Sequence, residues 1–370
     1  MSAGATSSDR LRLGVVGAGK ISGQYSDTLL ALPQLAVTAV SDLDPARAAA
    51  LAARHPAASP RPLADLLAAD DVDLVLNLTL PAVHAQVTLA ALDAGKAVYT
   101  EKPLAATTEQ GRAIAEAARA AALRVGCAPD TVLGTGLQTA RAAVDRGEIG
   151  VPLAATAFMT TPGHERWHPD PEFYYRPGGG PLLDMGPYYL TALVHLLGPV
   201  SRVLGLAARP AVARQIGTGP RQGTRFEVEV DTHVAGVLQH TGGAITTLMM
   251  SFDVWAARLP RIEVYGSAGS LSVPDPNHFA GEVALFRSDD PQWHPLPASD
   301  GYLDAGRGIG VADLAIATAA GTAHRAALDV GLHVLDVMES LLEATATGRA
   351  VGISSTCEIP SAIGGLVRLD

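Results

Sequence analysis

The segment Leu13-Gly14-Val15-Val16-Gly17-Ala18-Gly19-Lys20-Ile21-Ser22 sets a glycine-rich turn between a short apolar run and the start of a helical pattern. An aliphatic run that ends in glycines suits a buried strand, and a helix that follows at once carries the chain back over a sheet. Gly17 permits a tight turn. Gly19, with no Cβ, lets a pyrophosphate approach the backbone over the positive end of the next helix. Ser22 stands where a third glycine is usual and is small enough for close helix packing. Read this way, Gly17, Gly19, Lys20 and Ile21 form the edge that receives a dinucleotide. The plainer reading is an ordinary strand-to-helix turn.

The first 130 residues repeat that rhythm. Strands are expected over 11–16, 36–41, 73–78, 97–100 and 123–127, and helices over 21–32, 45–54, 82–94 and 108–122. Pro45 suits a first helical turn, and Gly95 suits a helix stop. Alternation of this kind predicts a parallel sheet with helices on both faces. A dinucleotide site should then show an acid about 20 residues past the turn, at the end of the second strand, and Asp42 is there. A carboxylate at that point binds the adenosine ribose hydroxyls and repels a 2′-phosphate, which favours NAD over NADP. Asp42 or Asp44 could instead cap the helix from Pro45, and Asp44 is the better placed for that. Thr100-Glu101-Lys102-Pro103-Leu104 follows the fourth strand directly, at the carboxyl edge where ligands bind. Lys102 could donate to a substrate oxygen or help a neighbouring acid ionise; by spacing alone it fits a solvated loop lysine equally well.

The pattern changes after residue 130. A helix is expected over 136–146, then strands over 153–159, 200–209, 226–239, 244–252, 261–265, 270–273 and 283–287, many alternating apolar and polar residues as half-buried antiparallel strands do. Phe226-Glu227-Val228-Glu229-Val230-Asp231 alternates most clearly, and Gly242-Gly243 suits a hairpin. A late helix is expected over 326–345. The division that results is a disordered lead-in over 1–9, a dinucleotide-binding domain over 10–129, and a domain for substrate binding and oligomerisation over 130–370.

Composition excludes several classes. With 48% hydrophobic and 17% charged residues the chain can bury a core, and a net charge of −10 without a Lys/Arg run gives no footprint for nucleic acid or an anionic membrane. The uncharged stretch 74–92 contains Asn77, Pro81, His84 and Gln86, which make it a poor membrane span. Two distant cysteines, Cys127 and Cys357, suggest neither a disulfide framework nor a zinc site, so the cytoplasm is the expected setting.

Gly17-Ala18-Gly19, Thr79, His84, the run Ala94-Gly95-Lys96-Ala97-Val98-Tyr99-Thr100-Glu101-Lys102-Pro103-Leu104, and the later Gly178-Gly179-Gly180-Pro181-Leu182-Leu183-Asp184-Met185-Gly186 together resemble the glucose–fructose oxidoreductase / inositol dehydrogenase (Gfo/Idh/MocA) family. The resemblance covers nearly the whole chain. It implies an N-terminal Rossmann domain and a C-terminal α/β domain built on an open, mainly antiparallel sheet. It also implies NAD(P)-dependent interconversion of a hydroxyl and a keto group on a sugar, cyclitol or glycoside-type substrate, in a homodimer or homotetramer. By position it puts Lys102 beside the nicotinamide and the reacting oxygen, and Glu101 on the nicotinamide side. Thr79 and Leu80 would line the cofactor cleft, with His84 at the start of the adjoining helix; a buried, hydrogen-bonded histidine is the alternative there. Leu80 replaces the usual proline. The chief departure is Tyr188. The family usually carries a histidine four residues after Asp184 as acid/base, and a further family acid is replaced by Thr191.

A tyrosine hydroxyl ionises near pH 10 in isolation, and an adjacent Lys⁺ and a positive nicotinamide both lower that. Tyr188 and Lys102 are therefore the expected proton-exchanging couple, with Asp184 orienting Lys102 or the substrate. The alternative leaves Tyr188 to pack or bind substrate while Lys102 or a nearby histidine handles the proton. The segment 163–176 concentrates His, Arg and aromatic residues in a chain only 5% aromatic. It leads into the glycines at 178–180, so Trp167 and His168 are expected to face substrate, with a surface or oligomer contact as the alternative. No metal-ligand spacing accompanies them. Asp130, expected to reach the cleft, and 307–310, expected to be a flexible closing loop, are weaker candidates. His333 is expected to be a satisfied packing residue. Competing functions are reduction of a non-sugar or secondary-metabolite carbonyl, and non-catalytic sensing of NAD or sugar.

Overall fold

The computed structural model describes residues 10–369. The expected lead-in, 1–9, lies outside them. The first part of the chain runs β1 (Leu11–Val16), α1 (Ser22–Leu30), β2 (Leu35–Ser41), α2 (Pro45–Ala52), β3 (Ser59–Pro60), α3 (Leu63–Ala68), β4 (Leu74–Asn77), α4 (His84–Asp93), β5 (Ala97–Thr100), α5 (Thr108–Ala121) and β6 (Val125–Cys127). The six strands are all parallel, in the order β3-β2-β1-β4-β5-β6. β1, β4 and β5 are nearly continuous apolar runs because both faces of the sheet are covered. Local signals fix the helix ends. The Asp44 carboxylate accepts the Ala46 N–H at 2.9 Å with Pro45 at the first helical position. α5 is capped by Thr107, whose hydroxyl accepts the Gln110 N–H, one residue before the expected start.

Strand order reverses at β1, with β2 on one side and β4 on the other. Such a switch point opens a crevice at the carboxyl ends of the strands. The turns after β1 and β4 meet there: Leu78 N–H donates to the Val16 carbonyl and Gly17 N–H to the Ser41 carbonyl, both at 2.8 Å.

The chain continues with α6 (Thr135–Asp145), β7 (Pro152–Thr160), α7 (Pro181–Leu197), β8 (Val200–Ala208), β9 (Ala213–Gln215), β10 (Arg225–Glu227), β11 (His233–His240), β12 (Ile245–Ser251), β13 (Ile262–Gly266), β14 (Gly269–Val273), β15 (Val283–Arg287), β16 (Asp290–Leu296) and β17 (Gly301–Tyr302). It ends with α8 (Ile309–Ala319), α9 (Leu328–Thr347), β18 (Val351–Gly352) and β19 (Leu366–Val367). A nine-stranded sheet of order β16-β15-β14-β13-β7-β12-β11-β8-β18 is antiparallel except between β7 and β12. α7 packs across its central strands and buries almost its full length.

Three expectations are corrected. The run 226–239 is not one strand. Arg225–Glu227 pairs with β9 in a separate ribbon, and Glu229 N–H then bonds to the Tyr175 carbonyl before β11 begins at His233. Residues 307–310 are no flexible loop but a turn, capped by Gly308, that runs into α8 at Ile309. There Gly308 and Gly310 donate their N–H groups to Asp130 Oδ2 at 2.8 and 3.0 Å. Asp130 is fully enclosed by that anchoring and does not open to the cleft. Two compact units make up the chain. One comprises the chain up to Gly134 with Tyr302–Leu332 and the segment from Leu366; the other comprises Thr135–Gly301 and His333–Gly365.

His333 is a packing residue, as expected. Its Nε2 accepts the Val200 N–H at 2.9 Å and its Nδ1 lies 3.0 Å from Ser355 Oγ, while burial pushes the imidazole down to about 4. Among the described residues no helix is long and apolar enough to cross a membrane.

Candidate active site

The first unit gathers its candidate residues at the carboxyl edge of the parallel sheet. Gly17 adopts φ +99°, and a Cβ there would lie 2.7 Å from the Leu78 carbonyl oxygen, so only glycine fits. Gly19 differs: a Cβ would meet no described atom within 4 Å. That open space above the N-terminal end of α1 suits a pyrophosphate. Ser22 Oγ donates to the Gly19 carbonyl at 2.7 Å, tying the first helical residue to the turn. Lys20 is exposed, and Ile21, the N-cap of α1, is half-buried.

Asp42 accepts the Ala18 N–H at 2.6 Å on Oδ2 and the Asp44 N–H at 2.8 Å on Oδ1. A carboxylate offers about four acceptor positions, so capacity remains for ribose hydroxyls. The open turn and the acid beside it fit an NAD-type dinucleotide.

Past β4, Thr79 Oγ1 donates to Asn77 Oδ1 at 2.6 Å, and Asn77 Nδ2 donates onward to the His84 carbonyl at 3.1 Å. Leu80 is 72% exposed and lends its backbone to the start of a short 3₁₀ turn at Pro81–Val83. His84 is fully enclosed, with Nδ1 2.7 Å from the Pro103 carbonyl and Nε2 2.9 Å from the Thr79 carbonyl. Burial lowers its pKa against the opposing pull of those carbonyls. The buried imidazole therefore joins the loop after β4 to the loop after β5.

Glu101 is buried. Its Oε1 accepts the Tyr25 hydroxyl and its Oε2 accepts the Lys102 N–H, both at 2.8 Å. It anchors the backbone from which the half-buried Lys102 projects. Tyr25 has no signal in the sequence beyond being an aromatic residue in the helix after the glycine turn.

The second unit builds another cluster. Gly180, at φ +90°, leads into α7, whose first turn carries Asp184; Tyr188 lies one turn later and is buried, with Thr191 buried further along. His164, on a short 3₁₀ turn at His164–Arg166, places Nε2 2.9 Å from Asp184 Oδ2. Its ring packs against Phe252, Tyr174 and Trp167 at centroid distances of 4.4, 4.6 and 5.1 Å. Trp167 is 52% exposed and lies edge-on to half-buried His168 at 5.4 Å. The expected loop thus meets the expected acid, but through a histidine that sequence reasoning passed over. His164 and His168 share one aromatic-rich run, and nothing in their spacing says which of them reaches Asp184.

Behind His164, Arg214 holds the loop. It donates to Glu165 Oε1 at 2.8 Å, to the Phe252 carbonyl at 3.0 Å and to Asp253, and Tyr175 donates its hydroxyl to Glu165. A cavity of about 620 Å³ opens beside this network, lined in part by Arg166, Gln222, Asp253 and Trp255. Among the described residues no group of three or more His, Cys, Asp or Glu side chains could hold a metal ion.

Residues 11–128 match the oxidoreductase family with an NAD-binding Rossmann fold, and residues 137–272 match the GFO/IDH/MocA C-terminal domain. A dTDP-3,4-didehydro-2,6-dideoxy-alpha-D-glucose 3-reductase of Streptomyces antibioticus is 34% identical over 76% of this chain and 82% of its own length. Inositol 2-dehydrogenase 3 of Saccharopolyspora erythraea is 29% identical over 72% of this chain and 74% of its own. Among solved structures, a levoglucosan dehydrogenase in complex with NADH and L-sorbose superposes with a TM-score of 0.80 at 20% identity, over 94% of this chain and all of that one, which establishes a shared fold. The chain belongs to the GFO/IDH/MocA family of NAD-binding oxidoreductases.

Proposed function

We propose that the protein interconverts a hydroxyl and a keto group on a sugar, cyclitol or glycoside-type substrate by hydride transfer. The observation that carries this reading is the Asp184–His164 pair within a shell of Trp167, Tyr174 and Phe252, because polar groups set among aromatic faces suit a polyhydroxylated ring.

Bound at the Gly17-Ala18-Gly19 turn, NAD supplies the hydride acceptor or donor. Gly17 and Gly19 admit the pyrophosphate, and Asp42 takes the adenosine ribose. Glu101 holds the backbone of Lys102, whose ammonium stabilises the substrate oxygen as charge develops on it. The Tyr188 hydroxyl exchanges the proton of that oxygen, and Asp184 orients the substrate. Trp167 and His168 flank the ring.

The test is NADH formation against myo-inositol, levoglucosan and 1,5-anhydro sugars, with NADP⁺ as control. Turnover of one class with NAD⁺ supports the reading. Tight NAD binding without turnover of any alcohol or carbonyl contradicts it and favours a sensor.

A second reading, reduction of a keto group on a nucleotide-linked sugar, draws on the Streptomyces relative and on the cavity beside the His164 loop, which has room for more than one ring. Reduction of a dTDP-linked ketosugar with NADH, and none of the free sugar, would select it.

The nine-stranded sheet turns exposed Leu204, Leu206, Val237 and Ile245 outward. A homodimer or homotetramer packed through that face, in the cytoplasm, is the assembly this reading entails. Light scattering of a Leu206→Glu variant tests it: dissociation supports the face, and an unchanged mass removes it.

A further inference from the structure

The family position that usually carries an acid/base histidine is Tyr188 here, yet an imidazole still bonds to the acid four residues before it. That imidazole arrives from a different element. We propose that His164 is a positioning residue for Asp184, fixed in one tautomer, which holds the carboxylate still and leaves the proton transfer to Tyr188. The proposal rests on the hydride-transfer reading above.

The two side chains are mostly out of water, 9% and 17% exposed, and their contact is 2.9 Å. A carboxylate only accepts, so the shared hydrogen sits on Nε2. Nδ1 is buried with no partner among the described residues. A hydrogen placed there would be a buried N–H without an acceptor, at about 1–3 kcal/mol. Of the two neutral tautomers, the arrangement therefore selects the one with its hydrogen on Nε2. Turning the ring over is also obstructed. Phe252, Tyr174 and Trp167 wedge it, and a flipped ring would aim C–H at Asp184.

The backbone is held as firmly. His164 N–H donates to the Tyr175 hydroxyl at 3.1 Å, that hydroxyl donates to Glu165, and Arg214 bridges Glu165 and Asp253. The charges behind the ring are thus paired with one another, and the carboxylate facing it is Asp184 from the first turn of α7. With Nε2–H committed to Asp184 and Nδ1 enclosed, His164 has no proton to pass to a substrate. Its action reaches the reaction only through the orientation of Asp184.

Two measurements on the whole protein test this. The first needs no substrate: two-bond ¹H–¹⁵N correlation spectra of ¹⁵N-histidine-labelled protein, with the His164 signals identified by their loss in His164→Gln. The expected pattern is a single Nε2–H tautomer that becomes a mixture in Asp184→Ala. An Nδ1–H or imidazolium pattern in the unaltered protein overturns the proposal. The second is a kinetic cycle on the best substrate of the panel. His164→Phe is expected to lower kcat about tenfold with NAD affinity unchanged, and His164→Gln, whose amide N–H can still reach Asp184, to recover kcat to within about threefold. In an Asp184→Ala background His164→Phe should cost less than about twofold more. Independent, multiplying losses, or kcat unaffected by His164→Phe, overturn it. If no panel substrate turns over, the functional reading fails on its own, and the spectra still decide the tautomer.

Discussion

Asp42 accepts the Ala18 N–H at 2.6 Å, so the acid that ends β2 and the turn that follows β1 form one continuous surface. Its second oxygen receives the Asp44 N–H, which fixes the plane of the carboxylate toward the crevice. Asp42→Ala should weaken NAD by roughly tenfold or more, the scale of one charge-assisted hydrogen bond, and should narrow the preference over NADP. The ratio of kcat/KM for the two cofactors measures this. An unchanged ratio would mean that another group reads the ribose.

The two glycines of the turn make separable predictions. Gly17→Ala sets a Cβ 2.7 Å from a backbone oxygen at a φ that L-residues avoid, so melting temperature and NAD affinity should both fall. Gly19→Ala meets nothing within 4 Å among the described residues, so its melting temperature should hold while NAD affinity drops. Calorimetric unfolding and NAD titration separate the two; a Gly19→Ala protein that binds NAD normally would place the pyrophosphate elsewhere.

His84 couples two loops at the sheet edge. His84→Ala leaves one of the Thr79 and Pro103 carbonyls without its N–H donor and opens a void, a loss on the order of 2–4 kcal/mol. NAD affinity should fall with stability, since Thr79 and Lys102 both belong to the loops that the ring ties together. Titration of the folded variant with NAD is the check, and unaltered affinity would confine His84 to the core.

Asp130 titrates out of its usual range, raised to about 6 chiefly by burial. The unfolded carboxyl releases its proton near 3.8, so between those values the folded state holds an extra proton and stability falls as pH rises. Across that window the loss approaches about 3 kcal/mol, and it is flat above. Asp130→Asn keeps a carbonyl for the Gly308 and Gly310 N–H groups but does not titrate. Its stability relative to the unaltered protein should therefore climb from pH 4 to 6 and then level, as denaturant unfolding across pH would show. A constant difference would place the raised titration elsewhere.

The dinucleotide-binding half was legible because its signals are local. Strands buried on both faces read as apolar runs, and the glycine turn, Asp42 and the Asp44 cap each act within a few residues of one another or at a fixed spacing. What escaped was either featureless or distant. α8 is mostly apolar, with no clear helical period, and its start is held by Asp130, 178 residues earlier. Of the alternating run Phe226–Asp231, only Phe226 and Glu227 join a short ribbon beside the main sheet. The pairing of His164 with Asp184 spans 20 residues of loop and helix, and sequence could select the loop but not the histidine.

The most direct test of the account is single-turnover hydride transfer, followed by nicotinamide absorbance, in the unaltered protein and in Tyr188→Phe and Lys102→Met. Tyr188→Phe should lose about 10²–10⁴-fold, as for removal of a general acid/base, with NAD affinity kept, and Lys102→Met should lose a comparable amount. Hydride transfer in Tyr188→Phe that matches the unaltered protein across pH would contradict the account and move the proton to another group.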